Sequence, residues 1–161
     1  MKLKKIFIAI CFLPLLSGCL KGYNELVCDY DECALVAPAS EIQDVQAYLT
    51  ANSLVATQHC SGLFYSIDAV GTGANPKACS DIAAKYVGRL TNGTVFDSRS
   101  TAIVFNLGQV IRGWTNGLPL IKAGGRITLY IPPSLGYGNT AIDQVPANSI
   151  LIFDIDLVAV Q

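Results

Sequence analysis

The sequence predicts an α+β domain, an antiparallel sheet with one helix packed across it. Three observations carry this prediction. From Gly62 onward, apolar and β-branched runs alternate with turns rich in Gly, Asn and Pro. Thr91-Asn92-Gly93-Thr94, set between two such runs, is a strong hairpin signal, because Asn and Gly tolerate positive φ. Within this region one segment, residues 109–121, reads as a helix, and Gly113, Gly117 and Pro119 keep it short.

The elements follow in order. Lys2, Lys4 and Lys5 precede an apolar run over residues 6–16, shorter than the ~20 residues that a membrane-spanning helix needs. A basic start, a short apolar run and small residues describe an export signal. Leu16-Ser17-Gly18-Cys19 resembles the bacterial lipobox, which implies cleavage before Cys19 and lipid attached to it. Several acyl chains anchor far more tightly than one, at ~0.8 kcal/mol per buried methylene. Residues 20–39 read as a spacer. Ser40 and Gln43 suggest a capping box, and Ile42, Val45 and Leu49 share a face of a helix over residues 41–52. Strands are expected over residues 63–67, 82–90, 101–107, 126–131 and 150–160, with a turn-rich loop over residues 71–76.

The chain has 161 residues, 52% of them apolar and 14% charged, which is room for one domain of ordinary size and excludes the disordered class. The formal charge is −1, with no basic excess, so nucleic acid is not an expected partner. Without Lys2, Lys4 and Lys5, eight basic residues face twelve acidic ones, a formal charge of −4. Such a body does not bind an anionic membrane surface, so an anchor must be the lipid.

Six cysteines are present. Cys11 leaves with the signal and Cys19 takes lipid, so Cys28, Cys33, Cys60 and Cys79 remain. Four cysteines in an exported chain suggest two disulfides with three connectivities. Neighbour pairing, 28 with 33 and 60 with 79, is the weakly favoured one. Their spacing matches no common zinc module, and neither a metal nor a cofactor is expected. His59, the single histidine, reads as a surface residue. A Cys60–His59 nucleophile is set aside because Cys60 is expected to be oxidised, and no serine sits on a nucleophile elbow.

Four sequence blocks stand out. The first is Tyr86-Val87-Gly88-Arg89-Leu90-Thr91-Asn92-Gly93-Thr94-Val95-Phe96-Asp97-Ser98, and the second runs Phe105-Asn106-Leu107-Gly108-Gln109-Val110-Ile111-Arg112-Gly113-Trp114. The third runs from Gly124-Gly125-Arg126 through Tyr130-Ile131-Pro132-Pro133 to Gly136-Tyr137-Gly138. The last is Asn148-Ser149-Ile150-Leu151-Ile152-Phe153-Asp154. Their order and spacing resemble the FKBP family of peptidyl-prolyl cis-trans isomerases, from about residue 62 to the end. The preceding helix also resembles one seen ahead of the domain in bacterial lipoprotein members.

The resemblance implies an FKBP-like twisted five-stranded antiparallel sheet wrapped around the short helix, preceded by a short N-terminal helix. It divides the chain into a lipoprotein signal (1–18), the lipidated Cys19 with its spacer (19–39), a helix and linker (40–59) and an isomerase domain (60–161). It implies a pocket with Trp114 as floor and Tyr86, Phe96, Val110, Ile111, Tyr137 and Phe153 as walls. Asp97 would stand at one side, unless it serves as a structural acceptor for Arg99. The Ile111 N–H and the Tyr137 hydroxyl would hold substrate carbonyls. Tyr86, Phe96, Asp97, Trp114, Tyr137 and Phe153 are the expected catalytic set, and Val110, Ile111, Phe105 and Val145 the expected substrate-binding set. By itself Phe105 reads as core, as do Leu107, Leu129 and Leu151. Asp154 and Asp156 read as structural.

The chain departs from the family pattern at the rim. Residues 139–147 are short, with Gln144-Val145-Pro146-Ala147 where members often carry apolar residues and two prolines. Ile103 stands where many have a second aromatic, and Thr115-Asn116 replaces a commonly acidic pair. The implied activity is X–Pro isomerisation of unfolded or exported polypeptides at the bacterial cell envelope, with a rapamycin-type macrolide as an expected inhibitor. The alternative is an FKBP-fold chaperone or adaptor with weak or no catalysis. The helix over residues 41–52 separates two further arrangements: pairing with a second copy, or support for its own sheet.

Overall fold

A computed structural model describes residues 28–161, so the expectations for residues 1–18 and for Cys19 lie outside the described residues. The elements are α1 (Ala39–Ala51), β1 (Thr57–Gln58), β2 (Phe64–Ala69), β3 (Asp81–Leu90), β4 (Val95–Asn106), α2 (Arg112–Gly117), β5 (Gly125–Ile131) and β6 (Leu151–Val160). The strands form one antiparallel sheet in the order β1-β2-β5-β6-β3-β4. The sixth strand, beyond the five expected, is the two-residue β1 at one edge.

Both faces of the central strands are covered. On β6, Leu151, Phe153, Ile155 and Leu157 join Trp114 and Leu118 in the main core, while Ile152 points to the opposite face. There it meets Phe64, Tyr130 and the α1 residues Val45 and Leu49. The period of two along a strand makes this division possible. The apolar stripe of α1 is therefore buried on its own sheet, the supporting arrangement.

Several expectations are corrected. Ser40 is no N-cap: α1 begins at Ala39, Pro38 is the N-cap residue, and no side chain caps it. The fixed φ of proline suits a helix entrance, which moves the start ahead of the serine. Glu41, in the first turn of α1, accepts the Ser134 N–H at 2.8 Å. The β3–β4 hairpin uses a three-residue loop in which Gly93 alone has positive φ (85°), with Gly93 N–H donating to Leu90 O and Leu90 N–H to Thr94 O. β4 begins at Val95 rather than near residue 101, and a bulge sets Tyr86 opposite Arg99 but Ala84 opposite Ile103. The expected helix over residues 109–121 breaks into a 3₁₀ turn (Leu107–Gln109), α2, and a second 3₁₀ turn (Leu118–Leu120), with Val110 and Ile111 extended between the first two.

The cysteines pair crosswise, Cys28 with Cys79 and Cys33 with Cys60, rather than as sequence neighbours. The segment after Cys28 lies over α2, where the Tyr30 hydroxyl donates to Asn116 Oδ1 at 2.5 Å and Asn116 Nδ2 donates to Glu32 O at 3.2 Å. That path carries each cysteine to a distant partner, with Cα separations of 5.8 and 5.5 Å. It also gives Asn116 its role: its amide, 1% exposed, is satisfied by the N-terminal segment. His59 is buried, not on the surface. The turn after β1 folds its ring inward, where Nδ1 lies 2.9 Å from Ser61 Oγ and takes the Ser61 N–H. Asp154 bonds Arg89 and the Thr128 hydroxyl, and Asp156 faces Arg126, so both serve the sheet.

Candidate active site

The hairpin β3–β4, strand β6 and the segment entering α2 converge on a cavity of about 290 Å³. Tyr86, Asp97, Phe105, Gln109, Val110, Ile111, Trp114, Tyr137 and Phe153 line it. On β3 the inward positions Ile82, Ala84, Tyr86, Gly88 and Leu90 alternate with less buried ones, which aims Tyr86 at the cavity. A Cβ on Gly88 would lie 2.7 Å from the Phe153 ring and 2.8 Å from the Phe96 ring, so a bare backbone there seats both aromatics.

Trp114 stands at the centre. Its ring centroid is 5.1 Å from Tyr86, 5.3 Å from Phe105 and 5.3 Å from Phe153, at interplanar angles of 87°, 70° and 89°. Phe96 meets Phe153 at 5.4 Å and 90°. Edge-to-face contacts of this kind hold aromatic rings in fixed positions. The box they make is apolar and already formed.

Polar groups stand at its edge. The Tyr86 hydroxyl donates to Asp97 Oδ2 at 2.5 Å, and Arg99 Nη1 donates to Asp97 Oδ1 at 2.9 Å. Asp97 thus lines the cavity and is also the acceptor for Arg99. Burial, then the hydrogen bond to Asp97 and its charge, push the Tyr86 phenol up to about 12. Burial, then the charges of Asp97 and Asp143, push Tyr137 above the ordinary tyrosine value. Ile111 is the N-cap of α2, where N–H groups have no intrahelical acceptor.

Eight of the ten expected pocket residues line this cavity. The other two, Phe96 and Val145, line an adjoining one of about 260 Å³, together with Asp97, Arg99, Tyr137, Ile142, Asp143 and Gln144. The two cavities share Asp97 and Tyr137. Sequence reasoning gave no cavity role to Gln109, and it placed residues 139–147 at the rim without assigning a role to Ile142, Asp143 or Gln144. Gln109 lay inside a quoted block, whereas nothing in the sequence singles out Asp143. His59 lies outside both cavities. Glu32, Cys33 and Cys60 bring ligand atoms within 4.8 Å of one another, but both sulfurs are spent in a disulfide.

A family model described as FKBP-type peptidyl-prolyl cis-trans isomerase matches residues 73–158. Over 105 residues the chain is 50% identical to the FKBP-type peptidyl-prolyl cis-trans isomerase FkpA of Buchnera aphidicola subsp. Schizaphis graminum, covering 63% of this chain and 42% of that one. The structure is similar to the crystal structure of FkpA from Escherichia coli, with a TM-score of 0.69 and 35% identity over 76% of this chain and 60% of that one. It is also similar to a crystal structure of a peptidyl-prolyl cis-trans isomerase from Pseudomonas syringae pv. tomato, with a TM-score of 0.68 and 29% identity over 78% and 97% of the two chains. The chain spans about two-fifths of the length of the curated relatives it matches.

Proposed function

The chain belongs to the FKBP-type peptidyl-prolyl cis-trans isomerase family, and we propose that it catalyses rotation about X–Pro bonds in polypeptides. The observation that carries this reading is the preformed box of Tyr86, Phe105, Trp114 and Phe153, large enough for a proline ring and bordered by a few hydrogen-bonding groups. The X–Pro amide faces a barrier of ~18–20 kcal/mol because its C–N bond is conjugated. In the perpendicular transition state conjugation is lost, and the carbonyl is less polar and less strongly hydrated. An apolar box disfavours the planar amide relative to the twisted one, and each ~1.4 kcal/mol of that difference gives tenfold in rate. The Ile111 N–H and the Tyr137 hydroxyl hold flanking carbonyls, which fixes the chain on either side of the rotating bond. Tyr137, with its proton held more tightly than usual, remains a donor at neutral pH. In this mechanism no group needs to take up or release a proton.

The test is cis-to-trans exchange of a short X–Pro peptide, followed by NMR with the non-lipidated protein made under oxidising conditions. Faster exchange that a rapamycin-type macrolide blocks is the expected result. A folded sample that leaves exchange unchanged overturns the reading.

The same reading puts the protein at the bacterial cell envelope, anchored by lipid on Cys19, where it assists folding of proline-containing exported polypeptides. Its support is the order of basic, apolar and small residues ahead of Cys19, together with two disulfides, which suit an oxidising compartment. Uncatalysed isomerisation takes tens to hundreds of seconds, slow enough to limit folding there. Mass spectrometry of detergent-extracted protein reads the anchor: a mature chain beginning at an unmodified residue other than Cys19 rejects it.

A further inference from the structure

The second cavity differs in chemistry from the first. It adjoins the aromatic box through Asp97 and Tyr137, so a side chain that enters it belongs to a residue beside the proline. Its apolar surface comes from Phe96, Ile142 and Val145, and its charged groups are Asp97, Arg99 and Asp143. Arg99 donates to Asp97 Oδ1 and to the Ser98 carbonyl, so the Asp97 charge is already balanced. Asp143 has no ion-pair partner among the described residues. It sits at the tip of a tight turn closed by paired backbone bonds between Ile142 and Val145, with φ at 49°. The turn places the carboxylate in the lining of the cavity that Tyr137 also lines, and its charge adds to the raised value of the Tyr137 phenol.

Resting on the isomerase reading, we propose that Asp143 is a specificity-determining residue that selects polypeptides with a lysine or arginine adjoining the proline. A mostly polar cavity with an apolar strip from Phe96 and Val145 and one unbalanced carboxylate matches a side chain with a carbon stem and a cationic head. An acidic side chain in the same place meets repulsion from Asp143. The ion pair is exposed, so the discrimination is modest, roughly fivefold between favoured and neutral residues.

The experiment compares X–Pro peptides carrying Lys, Leu or Glu before the proline, and a second series with these residues after it. For each, kcat/KM by NMR exchange and Kd by chemical-shift titration are measured on the oxidised protein and on Asp143→Asn. Asn tolerates positive φ, so the turn is preserved. Expected is a Lys > Leu > Glu order in at least one series. The spread collapses toward unity in Asp143→Asn and shrinks at ~0.5 M salt, where exposed charges are screened. Equal values for Lys and Glu in both series, or a preference that Asp143→Asn retains, overturn the proposal. Absence of turnover with every peptide rejects the isomerase reading instead, and the Kd ratios still decide whether Asp143 selects basic neighbours.

Discussion

Asp97 shows how much one residue of this cavity depends on its neighbours. It takes one bond from Tyr86, which is buried, and one from Arg99, which is exposed. A hydrogen bond to a charged acceptor contributes ~1.5–3 kcal/mol, so Tyr86→Phe is expected to lower stability by about 1.5 kcal/mol in urea unfolding at neutral pH. The pH dependence of that difference has a definite sign. The folded state holds the Tyr86 proton up to about 12 against an ordinary 10.0, so it binds the proton more tightly than the unfolded chain does. The stabilisation is complete below 10.0 and is lost as pH rises through about 12. Unfolding midpoints of wild type and Tyr86→Phe should therefore differ by a constant amount up to pH 10.0 and converge between there and about 12. For catalysis, Asp97→Ala and Phe96→Ala are each expected to cut kcat/KM roughly tenfold, a loss of ~1.4 kcal/mol in the transition state. Unchanged kinetics in both variants removes the pocket assignment.

At the scale of elements, α1 has a separable task. Val45 and Leu49 cover Phe64, Tyr130 and Ile152 on the face of the sheet away from the cavity. Leu49→Ala is expected to destabilise by about 3 kcal/mol through lost burial and the void it leaves. The same variant should keep kcat/KM per folded molecule, and a loss of turnover beyond the unfolded fraction would tie α1 to the site. The helical face of α1 was legible because apolar residues recur at helical spacing. Its start was misread because a Ser with a Gln three residues on looks like a cap wherever it falls, while the backbone enters through Pro38. β4 was read late because Ser98-Arg99-Ser100-Thr101 is polar, as an edge strand can be when only one side of it is paired. The extended pair Val110-Ile111 was read as helix because apolar neighbours carry no signal of the turn between them.

For the whole molecule, the disulfides join residues 51 and 27 positions apart and tie the N-terminal segment to the loop before β3 and to the turn after β1. Closing loops of these lengths in the unfolded chain corresponds to about 4 kcal/mol each. Reduction of both is expected to lower the urea midpoint sharply, by several kcal/mol in unfolding free energy, with the larger share from Cys28–Cys79. A midpoint indifferent to reductant would mean that the segment over α2 adds nothing to stability. The bonds from Tyr30 and Glu32 to Asn116 run from this segment to the helix that carries Trp114, so the tether and the floor of the cavity are mechanically joined.

By itself the sequence determined the fold family, five of the six strands in outline, the central hairpin and most of the residues around Trp114, because these depend on long blocks in which periodicity, turn residues and aromatics agree along the chain. The tertiary structure decided the rest. Crosswise disulfides, the burial of His59, the seating of Asn116 under Tyr30 and the sharing of Asp97 and Tyr137 between two cavities all depend on which distant segments meet. Asp143 is the clearest instance. As a letter it is one more acid in a turn, and it faces the substrate path only because the turn of Ile142 and Val145 folds against a cavity that adjoins the one built by β3, β4, β6 and α2. Contacts between residues remote in sequence leave no local pattern, so only the folded chain can assign them.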